Sequence, residues 1–306
     1  MAGNLDKKGC LFYAPLNNGK KKKMKFTPMK KLLEKALLGG YAVPSFCVWN
    51  LETMETVLRT AVRMSAPVII MGGPGEFPLV KPWALAGAAG MLRRKYKIPM
   101  ALHLDHGDSL EIVRDCLEAG FSSVMLDFSA KSFPENAAAL KTVVAMAKPL
   151  GVTVEGELGH VGKIDNVTTE GGYGSTLTDP DEAVQYVKET GVDALAVSIG
   201  NAHGNYTKLP KLDFERLAKI HQLMEIPLVL HGGSGTPDED IKKAISLGIA
   251  KVNVASELVR AIRESLRTQW SAGQNMWVPA ALIEARKEME KVIEKWIIRV
   301  GAAGKA

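Results

Sequence analysis

The chain has 306 residues, a mass of 33.1 kDa and a formal net charge of +6 at pH 7, and its 46% hydrophobic and 24% charged residues are ordinary for a soluble globular protein with a sizeable core. No apolar stretch approaches the roughly 20 residues needed to cross a bilayer, and no signal-peptide pattern opens the chain, so we expect neither a membrane protein nor a secreted one. The cysteines Cys10, Cys47 and Cys116 cannot all pair and match no metal motif, which favours a reducing, cytoplasmic location.

The positive charge is concentrated near the start of the chain. Lys20–Lys23 and Lys25 form a basic run that could contact nucleic acid or acidic lipid, or could be a solvated tail. The solvated tail is favoured, because the chain without these lysines is near neutral. We therefore predict an irregular basic extension over residues 1–27, a single domain over residues 28–306, and no nucleic-acid or membrane partner.

The predicted domain opens with a helix. Thr27 can cap it, Pro28 suits its first position, and Gly39 and Gly40 end it. Its apolar face consists of Leu32, Leu33, Ala36 and Leu37. In a barrel, this helix could close the bottom.

Eight short apolar runs follow, separated by segments long enough for a helix. They are Tyr41–Val48, Ala66–Met71, Pro99–Leu104, Ser122–Leu126, Val152–Val154, Ala194–Ile199, Pro227–Leu230 and Lys251–Val254. Strands that alternate with helices indicate parallel βαβ units, and eight units predict a closed (β/α)8 TIM barrel of the α/β class. An extra long charged helix ends near Val300, and it serves either subunit contact or cover for the side of the barrel.

Polar side chains cluster where these runs end, which is the catalytic end of such a barrel. They are Asp105 and His106, Asp127, Glu155 and Glu157, Asn201–Gly204, His231–Ser234 and Asn253. His106, His203 and His231 stand at three different strand ends, and a glycine follows each one. Three imidazoles with one open position are the arrangement of a catalytic zinc ion, and glycine lets the backbone turn sharply beside it. We therefore predict that these three histidines bind one metal ion.

Asp105 directly precedes one of these predicted ligands. Its carboxylate could orient a histidine or transfer a proton to a substrate oxygen beside the metal. Proton transfer is favoured, because a residue at a strand end faces the cavity. His103, two residues earlier, is predicted to point into the barrel and to form a hydrogen bond there.

Two segments have the pattern of phosphate-binding loops. His231–Pro237 is a glycine-rich loop that opens a helix, and Asn253–Ser256 opens a second helix beside it. Helix N-termini after strands seven and eight favour an anion. Lys208 could add positive charge or could be a solvated surface lysine. The alternative is a pair of tight turns without a ligand.

Residues 151–174 form a long glycine-rich segment with the candidate groups Glu155, Glu157, His160 and Asp165. This composition suits a mobile lid that brings a base to the substrate, although plain disorder would give the same pattern.

A metal, an acid and a phosphate loop together indicate chemistry beside the carbonyl of a small phosphorylated sugar. The alternative for such chemistry is a lysine Schiff base. No lysine occupies the carboxyl end of a predicted strand, since Lys251 begins strand eight. The metal route is therefore predicted.

With these motifs in place, the chain resembles the class II, metal-dependent ketose-bisphosphate aldolases, the family of fructose- and tagatose-bisphosphate aldolases, over about residues 28–306. The matching stretches, in order, are Leu102–Gly107, Glu155–Gly159, Gly200–Gly204, His231–Ser234 and Lys251–Ser256. The resemblance implies a lyase that reversibly cleaves a ketose 1,6-bisphosphate to dihydroxyacetone phosphate and an aldehyde such as glyceraldehyde 3-phosphate. Members typically form homodimers or homotetramers, and we expect the same here.

The resemblance also implies roles for single residues. His106, His203 and His231 would hold one catalytic Zn²⁺, and Glu157 matches the acid that contacts the metal in an alternate position. Asp105 would donate a proton to the aldehyde oxygen in condensation. Dihydroxyacetone phosphate, with a monovalent cation near its phosphate, would be bound by Gly204, Gly232, Gly233, Ser234, Asn253, Val254, Ala255 and Ser256.

The chain departs from the family pattern in the lid and on the aldehyde side. The usual lid glutamate, thought to remove a proton from dihydroxyacetone phosphate, is Asp165, which is one methylene shorter. Of the two asparagines usual after strand one, only Asn50 is in place as a substrate contact, because Cys47 replaces the other. Met71–Pro74 replaces the usual Gln or Ser after strand two, and Phe128 replaces a small residue.

The metal and phosphate side is intact, so we predict a dihydroxyacetone-phosphate aldolase whose aldehyde partner need not be glyceraldehyde 3-phosphate. Ala255, where several fructose-specific members carry an acid, favours the tagatose-like subgroup. Two alternatives stay open. One is a related aldolase for a different phosphorylated or sulfonated aldehyde. The other is a non-catalytic sugar-phosphate-binding subunit, which would need neither an open metal position nor Asp105.

Overall fold

The barrel is the central feature of the computed structural model, which describes residues 26–162, 175–204 and 210–306. Within them, eight parallel strands close in the order β1 to β8. The strands are β1 Val43–Cys47, β2 Val68–Gly72, β3 Met100–Gly107, β4 Ser123–Leu126, β5 Thr153–Leu158, β6 Ala194–Val197, β7 Leu228–Leu230 and β8 Ile249–Val254. The barrel closes where β8 pairs with β1, with Asn253 opposite Ser45. The predicted (β/α)8 barrel is confirmed.

Helices surround the strands. They are α1 Met29–Leu38, α2 Leu51–Arg63, α3 Pro82–Lys95, α4 Leu110–Ala119, α5 Phe133–Ala147, α6 Pro180–Thr190, α7 Phe214–Leu223, α8 Asp238–Ser246, α9 Ser256–Ser271 and α10 Val278–Arg299. Polar caps start several of them. The Asp179 carboxylate accepts hydrogen bonds from the backbone N–H groups of Asp181 and Glu182 and so satisfies otherwise unpaired donors of α6.

Helix α1 covers the amino-terminal end of the barrel, as predicted. Met29 accepts a hydrogen bond at its sulfur from Ser123 at the start of β4, and the backbone N–H of Lys30 donates to the hydroxyl of Thr153 at the start of β5. The predicted cap is wrong, because Pro28 takes the N-cap position. The backbone N–H of Thr27 instead donates to the Met100 carbonyl, which draws Thr27 away from the helix.

Helix α10 packs against α2 and α9 and covers the side of the barrel. Met289, Ile293 and Trp296 are among its fully buried side chains. Of the two roles left open by the sequence, cover of the barrel is the one that the structure shows. None of the described helices is both long enough and apolar enough to span a bilayer.

Two strands run further than their apolar patterns predict. β3 continues through Asp105 and His106, and β5 continues past Val154 to Leu158. Alternate residues of a barrel strand point inward, where polar side chains can pair, so polarity does not end the strand. The placement of Glu155 and Glu157 in a lid loop was therefore wrong, because both lie in β5. The extension over residues 1–25, Asp165 and Lys208 lie outside the described residues.

Candidate active site

Three imidazoles converge at the carboxyl end of the barrel. His106 is the penultimate residue of β3, His203 lies in the loop after β6, and His231 directly follows β7. Their ring centroids are 4.7 Å apart for His106 and His203, 4.6 Å for His106 and His231, and 5.7 Å for His203 and His231. The structure thus brings the three predicted metal ligands to one point.

Each of these rings has one buried nitrogen without a hydrogen-bond partner. The atoms are Nε2 of His106, Nε2 of His203 and Nδ1 of His231, and one ligand atom from each ring lies within 4.8 Å of the others. Buried polar atoms are normally paired, so three such nitrogens that face one point favour a shared partner, although Nδ1 of His231 also lies 3.0 Å from Oε2 of Glu157. A tetrahedral zinc site places its nitrogen ligands about 3.4 Å apart, which requires only a small contraction of this cluster. The residues present therefore fit a zinc ion.

The backbone turns beside the histidines in two ways. Gly204 and Gly232 have positive φ angles of 115° and 62°, as expected of glycines after His203 and His231. At the end of β3, His106 itself has a φ of 45°. A non-glycine residue in this region is strained, and such strain is typical of functional sites.

A carboxylate orients His106. Its Nδ1 lies 2.7 Å from Oδ2 of Asp127, and the Ser129 hydroxyl donates to Oδ1 of the same carboxylate over 2.6 Å. Burial alone would raise the pKa of Asp127. Hydrogen bonds from His106 and Ser129, together with the charge of His106, instead lower this pKa well below its ordinary value. The ionised carboxylate holds the proton of the ring on Nδ1, which leaves Nε2 free to bind a metal.

A buried ionic layer lies beneath the histidines and consists of Glu155, Lys251 and His103. Nζ of Lys251 donates to both carboxylate oxygens of Glu155, over 2.9 and 2.8 Å, and lies 3.3 Å from Nε2 of His103. Nε2 of His231 lies 2.9 Å from Oε1 of Glu155, and all four side chains are fully buried. The layer therefore turns Nδ1 of His231 toward the other rings.

His103 lies inside the barrel, as predicted. Its Nδ1 lies 2.9 Å from the Ser123 hydroxyl oxygen. Burial and the charge of Lys251 lower the pKa of His103 to about 3. The ring is therefore neutral at neutral pH.

Glu157 lies beside the histidines at the end of β5. Its Oε1 accepts a hydrogen bond from the backbone N–H of Val161, and its Oε2 lies 3.0 Å from Nδ1 of His231 without hydrogen-bond alignment. His106, Asp127 and Glu157 also form a second group whose ligand atoms lie within 4.8 Å of one another. Glu157 is thus placed where it could contact an ion displaced from the three-histidine position.

The two remaining ligand histidines differ in charge in the metal-free protein. Burial disfavours charge on His231, but the carboxylates of Glu155 and Glu157 outweigh it and raise the pKa of the ring to about 10. Burial and the charges of His106 and His231 lower the pKa of His203 to about 3. The His231 ring is therefore protonated at neutral pH and the His203 ring is neutral.

Asp105 faces the same space as the histidines. Its Oδ1 accepts a hydrogen bond of 2.8 Å from Nδ2 of Asn253 on β8. Burial would raise the pKa of Asp105, but the charges of His106 and Lys251 outweigh it and lower the pKa to about 2. The group is therefore a carboxylate at neutral pH.

The two predicted phosphate loops lie side by side. Gly232, Gly233 and Ser234 follow β7, while Asn253 and Val254 end β8, Ala255 caps α9 and Ser256 begins it. Glu257 joins the loops, because its Oε1 accepts from the backbone N–H of Gly235 over 2.9 Å and its Oε2 accepts from the indole of Trp296 over 3.0 Å. The N-terminal ends of α8 and α9 are thereby held next to each other beside the histidines.

Asn50 lies at the start of α2. Its Oδ1 accepts a hydrogen bond from the backbone N–H of Thr53, so the side chain caps the helix. This leaves its amide nitrogen as the group available to a ligand.

Sequence reasoning missed the ionic layer. Lys251 is the third residue of β8 rather than its start, and it points inward together with Asn253, two residues later. The signal that could have found it is the strand period of two, which also places Glu155 and Glu157 on one inner face of β5.

A protein-family model and several solved structures match this chain. The model of the class II fructose-bisphosphate aldolase family matches residues 27–305. The structure of the YdjI aldolase from Escherichia coli K12 has 35% sequence identity and a TM-score of 0.81, and the match covers 92% of this chain and 99% of that one. A putative fructose-1,6-biphosphate aldolase from Coccidioides immitis has 29% identity and a TM-score of 0.82, with 91% and 98% covered.

A fructose-bisphosphate aldolase from Campylobacter jejuni has the same fold. Its identity is 23% and its TM-score 0.77, and the match covers 91% of this chain and 95% of that one.

Proposed function

The chain belongs to the class II fructose-bisphosphate aldolase family, and on that premise we propose that it is a zinc-dependent aldolase. It reversibly cleaves the C3–C4 bond of a ketose 1-phosphate and yields dihydroxyacetone phosphate and an aldehyde. The observation that carries the proposal is the convergence of three unpaired imidazole nitrogens beside the ionised carboxylate of Asp105.

His106, His203 and His231 would hold the ion, and Glu157 would contact it in an alternate position. When bound, the ion supplies Lewis-acid polarisation of the ketone carbonyl, which stabilises the negative charge that develops on the substrate. Asp127 and Glu155 keep the protons of His106 and His231 on the nitrogens that face away from the ion.

Asp105 acts as the base in cleavage. Its carboxylate takes the proton of the C4 hydroxyl while the C3–C4 bond breaks and the electron pair moves toward the C2 carbonyl. In condensation the acid formed returns this proton to the aldehyde oxygen. Asp165 is proposed to exchange the second proton, at C3 of dihydroxyacetone phosphate, as a lid residue.

The loops after β6, β7 and β8 are proposed to bind dihydroxyacetone phosphate. Helix N-termini stabilise the phosphate, with a monovalent cation beside it. The contacts would come from Gly204, Lys208, Gly232, Gly233, Ser234, Asn253, Val254, Ala255 and Ser256, with Asn50 on the opposite side.

The aldehyde has two candidates. A ketose 1,6-bisphosphate of the fructose or tagatose type would release glyceraldehyde 3-phosphate. A different aldehyde is favoured because Cys47 and Met71, which pair in register at the ends of β1 and β2, stand where the family pattern has polar residues. A binding-only subunit is disfavoured, because it would have no use for Asp105 beside an open metal position.

We also propose that the enzyme is a cytoplasmic homodimer or homotetramer. Large apolar side chains are exposed around the start of α10, with Trp277 at 75% and Met276 at 70% of their accessible surface. Exposed apolar groups of this kind are typical of subunit contacts. Light scattering at micromolar concentration would measure the assembly.

The activity is tested by metal removal and return. We expect chelator-treated protein to lose cleavage of fructose or tagatose 1,6-bisphosphate, or condensation of dihydroxyacetone phosphate with an aldehyde, and to regain it with one zinc ion per chain. Borohydride with substrate should trap no covalent adduct. An adduct on a lysine would replace the metal route with a Schiff base.

A further inference from the structure

The loop after β2 lies directly against the residue that we propose as the proton acceptor. Cys47 on β1 is paired in register with Met71 on β2, and Gly73 follows two residues later. Gly73 has no room for a side chain, because a Cβ there would collide with the carbonyl oxygen of Asp105. The ends of β1, β2 and β3 therefore form one wall beside Asp105.

Glu76 brings a carboxylate to this wall. Its Oε2 accepts a hydrogen bond of 2.9 Å from the backbone N–H of Gly73, and its own N–H donates to the Gly73 carbonyl over 3.0 Å. The same Oε2 would lie 3.8 Å from a Cβ on Gly73, the position that packs against the backbone carbonyl of Asp105. The turn from Gly73 to Glu76 thus fixes the carboxylate close to the strand end that carries Asp105.

The thiol of Cys47 lies close enough to both acidic groups to feel their charge. Only 7% of the surface of Cys47 is exposed. Burial, together with the negative charges of Glu76 and Asp105, raises the pKa of the thiol well above its ordinary value. The thiol therefore stays neutral and adds no further negative charge beside the two carboxylates.

We propose that Glu76 is a specificity-determining residue that selects an uncharged, hydroxylated aldehyde and rejects a phosphorylated or sulfonated one. The proposal rests on the proposed aldolase function, in which the aldehyde carbon is beside Asp105. A phosphate or sulfonate on a short aldehyde would lose water near the fixed carboxylate of Glu76 and would be repelled by its negative charge. This repulsion would select against charged aldehydes. Hydroxyl groups, in contrast, can donate to that carboxylate.

The test compares two aldehydes of the same carbon skeleton. Condensation with dihydroxyacetone phosphate is measured with glyceraldehyde and with glyceraldehyde 3-phosphate, in the wild type and in Glu76→Gln. The glutamine oxygen can still accept from Gly73 and so preserves the turn. Glu118→Gln, an exposed change in the last turn of α4, is the control.

We expect the wild-type kcat/KM to favour glyceraldehyde by about tenfold or more. Glu76→Gln should shift the ratio of the two kcat/KM values toward the phosphorylated aldehyde by about tenfold, while Glu118→Gln leaves the ratio unchanged. A wild-type preference for glyceraldehyde 3-phosphate, or an unchanged ratio in Glu76→Gln, overturns the assignment.

Proton exchange at C3 of dihydroxyacetone phosphate needs no aldehyde. It therefore distinguishes a failure of the Glu76 assignment from a failure of the proposed aldolase function. If exchange is normal in both proteins and the ratio does not move, the assignment of Glu76 fails while the aldolase function stands. If neither protein shows exchange or condensation, the aldolase function itself fails, and the assignment of Glu76 fails with it.

Discussion

Asn253 on β8 donates a hydrogen bond of 2.8 Å to the carboxylate of Asp105 on β3. Asn253 begins the second phosphate loop, so the bond links the proposed phosphate-binding side to the proposed proton acceptor. Asn253→Ala should therefore weaken both substrate binding and proton transfer, which would appear as a raised KM together with a lowered kcat. A raised KM with unchanged kcat would limit Asn253 to binding.

Asp105→Asn removes the proton acceptor while it keeps the size of the side chain. We expect cleavage to fall by about 10²- to 10⁴-fold, the range for loss of a positioned acid or base. Zinc content and C3 proton exchange should remain, because neither uses the C4 hydroxyl proton. Cleavage at the wild-type rate would remove Asp105 from the mechanism.

Lys251→Met leaves the Glu155 carboxylate buried without its ammonium partner. We expect a loss of about 3–5 kcal/mol in the free energy of unfolding, measured from urea midpoints. Lys30→Met is the matched control, since Lys30 pairs with Asp193 at the surface with 48% of its side chain exposed, and it should cost less than about 1 kcal/mol. Equal losses in the two variants would contradict the buried ion pair.

The shifted pKa values of His103, His203 and His231 should give the metal-free protein a stability optimum near pH 6.5. His103 and His203 have pKa values of about 3 in the folded state and about 6.5 when unfolded, so their stabilisation is complete above pH 6.5 and is lost as the pH falls toward 3. His231 has a folded pKa of about 10, so its stabilisation is complete below pH 6.5 and is lost as the pH rises toward 10.

The measurement is the urea midpoint from pH 5 to 9 in the presence of a chelator. Each histidine can contribute a slope of up to about 1.4 kcal/mol per pH unit in its window. The same series with excess zinc is the control, since an ion would displace the proton from His231. A stability that climbs steadily from pH 5 to 9 without zinc is the contrary result.

Trp296→Phe removes the indole donor to Glu257 and so loosens the link between the phosphate loops. We expect the KM for the ketose phosphate to rise by about threefold to tenfold with little change in kcat, because the loss of one hydrogen bond costs about 1 kcal/mol. Trp270→Phe is the control, because the Trp270 indole donates to the Asn275 carbonyl at an exposed position of α9. Equal KM values in the two variants would show that Trp296 does not support the loops.

The barrel could be predicted from the chain because each of its eight strands has an apolar core and the segments between them are long enough for a helix. The convergence of the three histidines followed from the same reasoning, since strand ends of a closed barrel meet at one edge. The ends of β3 and β5 could not be predicted in this way. There the polar residues Asp105, Glu155 and Glu157 continue the strand, because their partners come from strands far away in sequence.

Lys251 and Glu76 were missed for a related reason. A lysine inside a barrel is stable only because Glu155 faces it, and nothing near Lys251 in the sequence indicates that partner. Glu76 reads as an ordinary loop acid until its hydrogen bond to Gly73, which packs against the backbone carbonyl of Asp105, shows its place near the end of β3.

His106, His203 and His231 are proposed to bind one divalent ion beside Asp105. Anomalous diffraction at the zinc absorption edge, on crystals of zinc-loaded protein, tests this proposal most directly. We expect one peak about 2.0–2.1 Å from Nε2 of His106, Nε2 of His203 and Nδ1 of His231. Rings that point apart with no peak between them, in protein saturated with zinc, would contradict it.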